Sequence, residues 1–299
     1  MHVLNGLSFD VEDWFQVENL KEVISCNDWD CCELRVIQNT RRILKLLEHY
    51  QTRATFFILG WVAEKCPSLV KEIAAKGHEI ASHGYGHELI YKLSPEEFYS
   101  DIRRSKEILE SITTKTILGY RAPSFSITPE SDWAIDVLKD LGFTYDSSIF
   151  PTSFHNRYGF NGASSLPFRF GNGLLEIPLS TYRFGKANFP LAGGGYFRLF
   201  PYAYFRHFFQ RLNKQGRPIV FYLHPWELDP NQPKMKVRFN YRLRHYINLE
   251  KTEKRLENLL GDFKFVPLIH LVNQYFPRTS QSQRSPHAEI KESSVGSNE

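Results

Sequence analysis

Strands alternate with helices along almost the whole chain, and this rhythm restricts the fold more than any other feature of the sequence. Short β-rich runs (VLNGLSFDV, RATFFILG, HEIAS, TILGYR, FTYDSS, LLEIPLS, PIVFYLH, KFVPLIHLV) are separated by amphipathic stretches. At 39–50, Ile43, Leu44, Leu46, Leu47 and Tyr50 recur at helical spacing. A second helix is expected at 66–77, with Pro67 near its start and Gly77 past its end. A third opens on Ser94, Pro95 and Glu97, a capping box. Further helices are expected at 128–142, 201–216 and 250–263. Such alternation buries both faces of a mainly parallel sheet under helices. About seven or eight units in about 275 residues suit a barrel-like closure. The expected fold class is therefore α/β, as a distorted (β/α)7-type barrel.

Composition narrows the function classes. A chain of 299 residues with 42% hydrophobic content can bury a sizeable core. The net charge is only +4, and no long basic run marks a nucleic-acid track. No apolar stretch approaches the roughly 20 residues of a membrane helix. The start, MHVLNGLSFDVEDWF, lacks the charged and apolar regions of a secretory signal. Cys26, Cys31, Cys32 and Cys66 form no CxxC pair, so reduced thiols and a cytoplasmic setting are expected; a leader outside this sequence would make it periplasmic. Residues 279–299 are polar and are expected to form a disordered tail.

Chemistry-bearing residues gather where the strands end. The sequences FDVED, SHGYGH, YRAPS, YDSS and LHPWE each follow an apolar run. In parallel α/β folds, active sites collect at the carboxyl ends of strands. His83 and His87 lie four apart, which a helical turn or a tight loop brings to one side, and Gly84 and Gly86 let the backbone bend between them. Neutral imidazole is a common ligand for zinc and similar ions. A third ligand would be a carboxylate from the first strand. Alternation puts Asp10 and Glu12 on one face and Asp13 on the other, which favours Glu12 and leaves Asp13 as the competitor. Arg121 is placed to pair with Asp10 and hold it ionised. His224 could act as a general acid, with Asp146 holding its tautomer. Tyr85, Ser124 and Trp226 are candidate substrate contacts, Trp226 by stacking on a sugar face. Each feature also has a plainer meaning: surface histidines, a solvated acidic cluster, a packed tryptophan.

Taken in order, these motifs resemble the polysaccharide deacetylase family, the NodB-homology group akin to carbohydrate esterase family 4. The resemblance covers about 4–272. TFFILGWVAEKCPSLVKEIAAKGHEIASHGYGH and AGGGYFRLFP further resemble the subgroup encoded with exopolysaccharide and exosortase systems. The resemblance implies a single catalytic domain at 1–278, with about 200–278 as a subgroup-specific extension interleaved with the barrel. It implies Asp10 as base, His83 and His87 as metal ligands, His224 as acid, Arg121 as partner of the base, and the backbone near Ser124 as an oxyanion contact. Many relatives carry two adjacent aspartates where this chain has Asp10, Val11, Glu12 and Asp13. The implied substrate is an N-acetylated polysaccharide or oligosaccharide. The implied cofactor is a divalent metal, with Zn2+ expected and Co2+, Ni2+ or Fe2+ as competitors. The loop of Gly193, Gly194 and Gly195 has no assigned role beyond close backbone approach.

Three other readings use the same residues. A metal-dependent amidohydrolase acting on a small cyclic amide or ureide would share the catalytic set and differ in its groove. A non-catalytic glycan-binding module would tolerate loss of Asp10 or His224. A glycoside hydrolase using Asp10 and Glu12 would leave the histidine pair without a task.

Overall fold

A computed structural model describes residues 3–152, 159–160, 162–185 and 187–277. The expected tail at 279–299, and part of the loop before β6, lie outside the described residues.

The strands are β1 (Asn5–Val11), β2 (Thr55–Ile58), β3 (Glu79–Ser82), β4 (Gly119–Tyr120), β5 (Tyr145–Asp146), β6 (Phe168–Arg169), β7 (Leu175–Glu176), β8 (Thr181–Phe184), β9 (Ala187–Pro190), β10 (Val220–Leu223) and β11 (Phe265–Val266). The helices are α1 (Val36–His49), α2 (Gly60–Lys65), α3 (Pro67–Ala75), α4 (Pro95–Thr113), α5 (Ala134–Asp140), α6 (Gly194–Leu199), α7 (Tyr202–Lys214), α8 (Phe239–Tyr246), α9 (Leu249–Asp262) and α10 (Leu268–Tyr275).

One sheet runs β10-β1-β2-β3-β4-β5-β7-β6, with β11 also pairing to β1. All its pairings are parallel except β6 with β7. The sheet curls into a half-barrel, and no strand ladder joins β6 to β10 among the described residues. After β7 the chain leaves the ladder, and Ser180 meets β10 instead. Its N–H donates to the Val220 carbonyl at 3.2 Å, and its hydroxyl accepts from the Val220 N–H at 2.8 Å. The short antiparallel β8–β9 hairpin and helix α8 are additions that the periodicity did not announce.

Alternation decides the contents of each face. On β2, Phe56 and Ile58 join the core under the outer helices, while Phe57 points into the concave side with Ala81, Tyr145 and Val220. Both phenylalanines are fully buried, each burial stabilising by roughly 1.5–3 kcal/mol. Register carries this parity across the sheet. Phe9 lies opposite Phe56, Asp10 opposite Phe57, and Leu223 opposite Phe9.

Local signals match where they were strong. The Ser94 hydroxyl accepts from the Glu97 N–H at 3.2 Å and the Glu97 carboxylate from the Ser94 N–H at 2.8 Å, opening α4. The expected helix at 128–142 divides into a single turn at Pro129–Ser131 and α5. All four cysteines are free thiols, and no described helix is long and apolar enough to cross a membrane.

Candidate active site and metal centre

The polar strand ends converge on the concave side. Asp10 and Glu12 leave the end of β1 on the face of Phe57, at 1% and 2% exposure. His83 and His87 follow β3 in a loop bent by left-handed backbone at Gly84 (φ 75°) and His87 (φ 52°). Asp101 of α4 clamps that loop, accepting from the N–H groups of Tyr85 and Gly86 at 2.8 and 3.0 Å. Asp10, Glu12 and His87 line a cleft of about 450 Å3.

Glu12, His83 and His87 have ligand atoms within 4.8 Å of one another, and all three are buried. Glu12 Oε2 lies 3.4 Å from His87 Nε2, and Oε1 lies 4.0 Å from His83 Nε2. His83 Nδ1 is 2.8 Å from the Arg121 carbonyl, which leaves Nε2 facing the cluster. Glu12 Oε2 is buried without a hydrogen-bond partner. Burial pushes both imidazoles down, His87 to about 4, so at neutral pH they carry the unprotonated form that a metal takes. Burial alone would raise the Glu12 carboxyl, but His87 and His224 outweigh it and bring it to about 2. A carboxylate and two neutral imidazoles with ligand atoms this close together fit a divalent cation.

Asp13 is placed elsewhere. It points to the opposite face, where its carboxylate accepts from the N–H groups of Trp14, Arg35 and Val36 at 2.7–2.8 Å and caps α1. Burial pushes it up to about 6. It is not part of the cluster.

Arg121 is fully buried. One terminal nitrogen donates to Asp10 Oδ1 and to the Ser8 hydroxyl, both at 2.7 Å; Nε donates to the Ser147 carbonyl at 3.0 Å, and the other terminal nitrogen to the Ser147 hydroxyl at 2.9 Å. The guanidinium lies 4.1 Å from the Phe57 ring centroid. Asp10 is thus held by a fixed cation behind it and faces the cleft in front. Ser124 also lines the cleft, in a left-handed conformation (φ 52°), followed by Phe125 (φ 54°). Two such non-glycine residues in sequence store strain of the kind found at functional sites.

His224 also reaches the cluster, with Nε2 3.0 Å from Glu12 Oε1. Its Nδ1 partner is Glu227 Oε2 at 3.0 Å, not Asp146. Register explains the correction. Asp146 pairs with Tyr120, whose ring lies in the outer core, so its carboxyl points away from the cleft toward Ser148 and Glu176. Burial lowers and Glu12 with Glu227 raises the His224 ring, to about 10 overall, so it carries its proton at neutral pH.

Two expected substrate contacts are also placed differently. Trp226 is 4% exposed, with His224 stacked on its ring at 5.3 Å and His245 at 4.4 Å, so neither ring face is open to a sugar. Tyr85 turns outward, donating its hydroxyl to Glu64 at 2.7 Å with Arg104 over its ring. Tyr196 and Tyr222 line the cleft together with the edge of Trp226. Glu227 was legible as the i+3 carboxylate of HPWE, a capping-box spacing; Tyr196 carried no signal beyond its nearness to the triple glycine.

A curled parallel sheet with its reactive groups at the carboxyl edge defines the NodB-type deacetylase fold. The same fold occurs in a crystal structure of a Mycobacterium smegmatis protein assigned as a polysaccharide deacetylase, at 19% identity, with 91% of this chain and 90% of that one covered and a TM-score of 0.60. The polysaccharide deacetylase family model matches residues 29–145, and a domain of unknown function, DUF3473, matches residues 147–273. Relatives include a Bacillus cereus peptidoglycan-N-acetylglucosamine deacetylase, 37% identical over 103 residues (34% of this chain, 35% of the relative). A Helicobacter pylori peptidoglycan deacetylase is 32% identical over 117 residues, 39% of each chain. A Bradyrhizobium chitooligosaccharide deacetylase is 26% identical over 99 residues (33% and 43%). The matched stretch spans about a third to two-fifths of these relatives' lengths.

Proposed function

We propose that the protein hydrolyses N-acetyl groups from an amino-sugar polymer. The observation that carries this is the meeting of Glu12, His83 and His87 with the Asp10–Arg121 pair and His224 in one cleft. A divalent cation held by Glu12, His83 and His87 supplies polarisation of the acetyl carbonyl and acidification of water. Asp10, held in place by Arg121, takes a proton from the attacking water. The oxyanion of the tetrahedral adduct faces the Ser124 backbone. His224 delivers its Nε2 proton to the sugar nitrogen, which takes the electron pair of the breaking C–N bond. Acetate and a free amino sugar leave. Each acid or base contributes roughly 10²–10⁴-fold.

The finer reading is Zn2+ as the metal and an exopolysaccharide under assembly as the substrate. Two imidazoles and one carboxylate favour Zn2+, although Co2+, Ni2+ or Fe2+ would use the same ligands. The exopolysaccharide reading is supported by the likeness of the AGGGYFRLFP region to that subgroup. The cleft volume suits a few sugar units rather than one small ring. The test is acetate release from N-acetylated chitooligosaccharides, peptidoglycan and exopolysaccharide fractions. Release abolished by chelation and restored by Zn2+ is expected. Release indifferent to chelator overturns the metal-centred mechanism.

A further inference from the structure

We propose that Arg198 and Glu227 are positioning residues that lock the His224 ring in place, and that Gly194 is a glycine so that Glu227 can occupy its seat. This rests on the assignment of His224 as proton donor in the proposed reaction. Glu227 is 1% exposed and reaches His224 twice, with Oε2 3.0 Å from both the backbone N–H and ring Nδ1. Holding Nδ1 fixes the tautomer with Nε2–H toward the cleft. The other oxygen, Oε1, accepts from Arg198 Nε at 2.9 Å.

Arg198 is itself 1% exposed. Its remaining nitrogens donate at 2.9 Å to the carbonyls of Arg244, His245 and Ile247, at the carboxyl end of α8. Those carbonyls are ones a helix end leaves without intrahelical partners. A guanidinium bound on four sides cannot swing, so the carboxylate it holds cannot swing either. A Cβ at Gly194 would fall inside contact distance of both Glu227 oxygens. Gly193 has φ 96° and abuts the Tyr222 ring. Two of the three consecutive glycines thus have a physical reason. All these residues come from 147–273, so the segment of unknown function completes a site to which residues 29–145 contribute His83, His87 and Arg121.

The experiment compares two substrates of the full, metal-loaded chain. Deacetylation of an N-acetylated chitooligosaccharide needs a proton for the departing amine. Hydrolysis of nitrophenyl acetate does not, because the phenolate leaves unaided. Glu227→Gln, Arg198→Lys and Gly194→Ala are expected to lower kcat on the amide by roughly 10²-fold with KM little changed, while ester turnover stays within about threefold. Adding Glu227→Gln to His224→Ala is expected to cost nothing further. Melting temperatures report folding, and Arg198→Lys keeps the charge if Arg198→Met does not fold. Equal losses on amide and ester, or additive losses with His224→Ala, overturn the inference and leave a structural role. If His224→Ala itself spares the amide reaction, the proton-donor assignment falls and takes this inference with it. If His224→Ala is inactive but the Glu227, Arg198 and Gly194 variants are normal, only this inference falls.

Discussion

Neighbouring carboxylates on the first strand show how sharply a single residue step divides roles. Glu12 and Asp13 differ by one methylene and one position. Glu12 enters the cleft beside two imidazoles, whereas Asp13 turns behind the sheet and caps a helix with three backbone N–H bonds. Their substitutions therefore have separable outcomes. Glu12→Gln is expected to lose bound metal on dialysis while remaining folded. Asp13→Ala is expected to keep its metal and lose about 2 kcal/mol of stability, as buried helix caps do. Metal content together with urea unfolding checks both. Metal loss from the Asp13 variant would put that carboxylate back among the ligands.

Between elements, β5 and β7 are joined by a buried acidic pair. Asp146 and Glu176 face each other in register, both fully buried. Burial raises Glu176 well above the usual carboxylate range, with the Asp146 charge adding to it, and burial pushes Asp146 up to about 6. The pair keeps a proton at neutral pH. A carboxyl with a higher pKa in the folded state stabilises fully below its unfolded value of about 4, and that contribution is lost as pH rises through the folded value. The pair's own contribution to the unfolding free energy is expected to decline as pH rises above about 4, against the opposite slope of the depressed His83 and His87. Glu176→Gln is expected to flatten that decline. Unfolding measured across pH would show the same slope in both proteins if the pair were unprotonated.

For the molecule as a whole, the sheet crosses the boundary between the two matched segments. β1 pairs with β2 along one edge and with β10 along the other, while β11 pairs with its first residues; β10 and β11 both come from beyond residue 147. The chain is therefore not expected to divide there. A fragment of residues 1–146 would leave an edge of β1 unpaired and apolar, a template for aggregation. It is expected to be insoluble or molten, with weak near-UV circular dichroism. A soluble fragment with native-like amide protection would show instead that the first segment folds alone.

The pattern of strands and helices, the capping box at Ser94 and the choice of Glu12 over Asp13 were legible in the sequence, because helical period, cap chemistry and strand alternation are local. The same alternation also governs Asp146, but only once the strand register is known: β5 pairs with β4 so that Asp146 shares the face of Tyr120. That sent the expected partner of His224 to the wrong side of the sheet. Trp226 between two histidines, Tyr85 turned to Glu64, and Arg198 bound to the end of α8 all depend on groups far apart in the chain. Packing across such separations is decided by which surfaces close on each other, and no local periodicity encodes it.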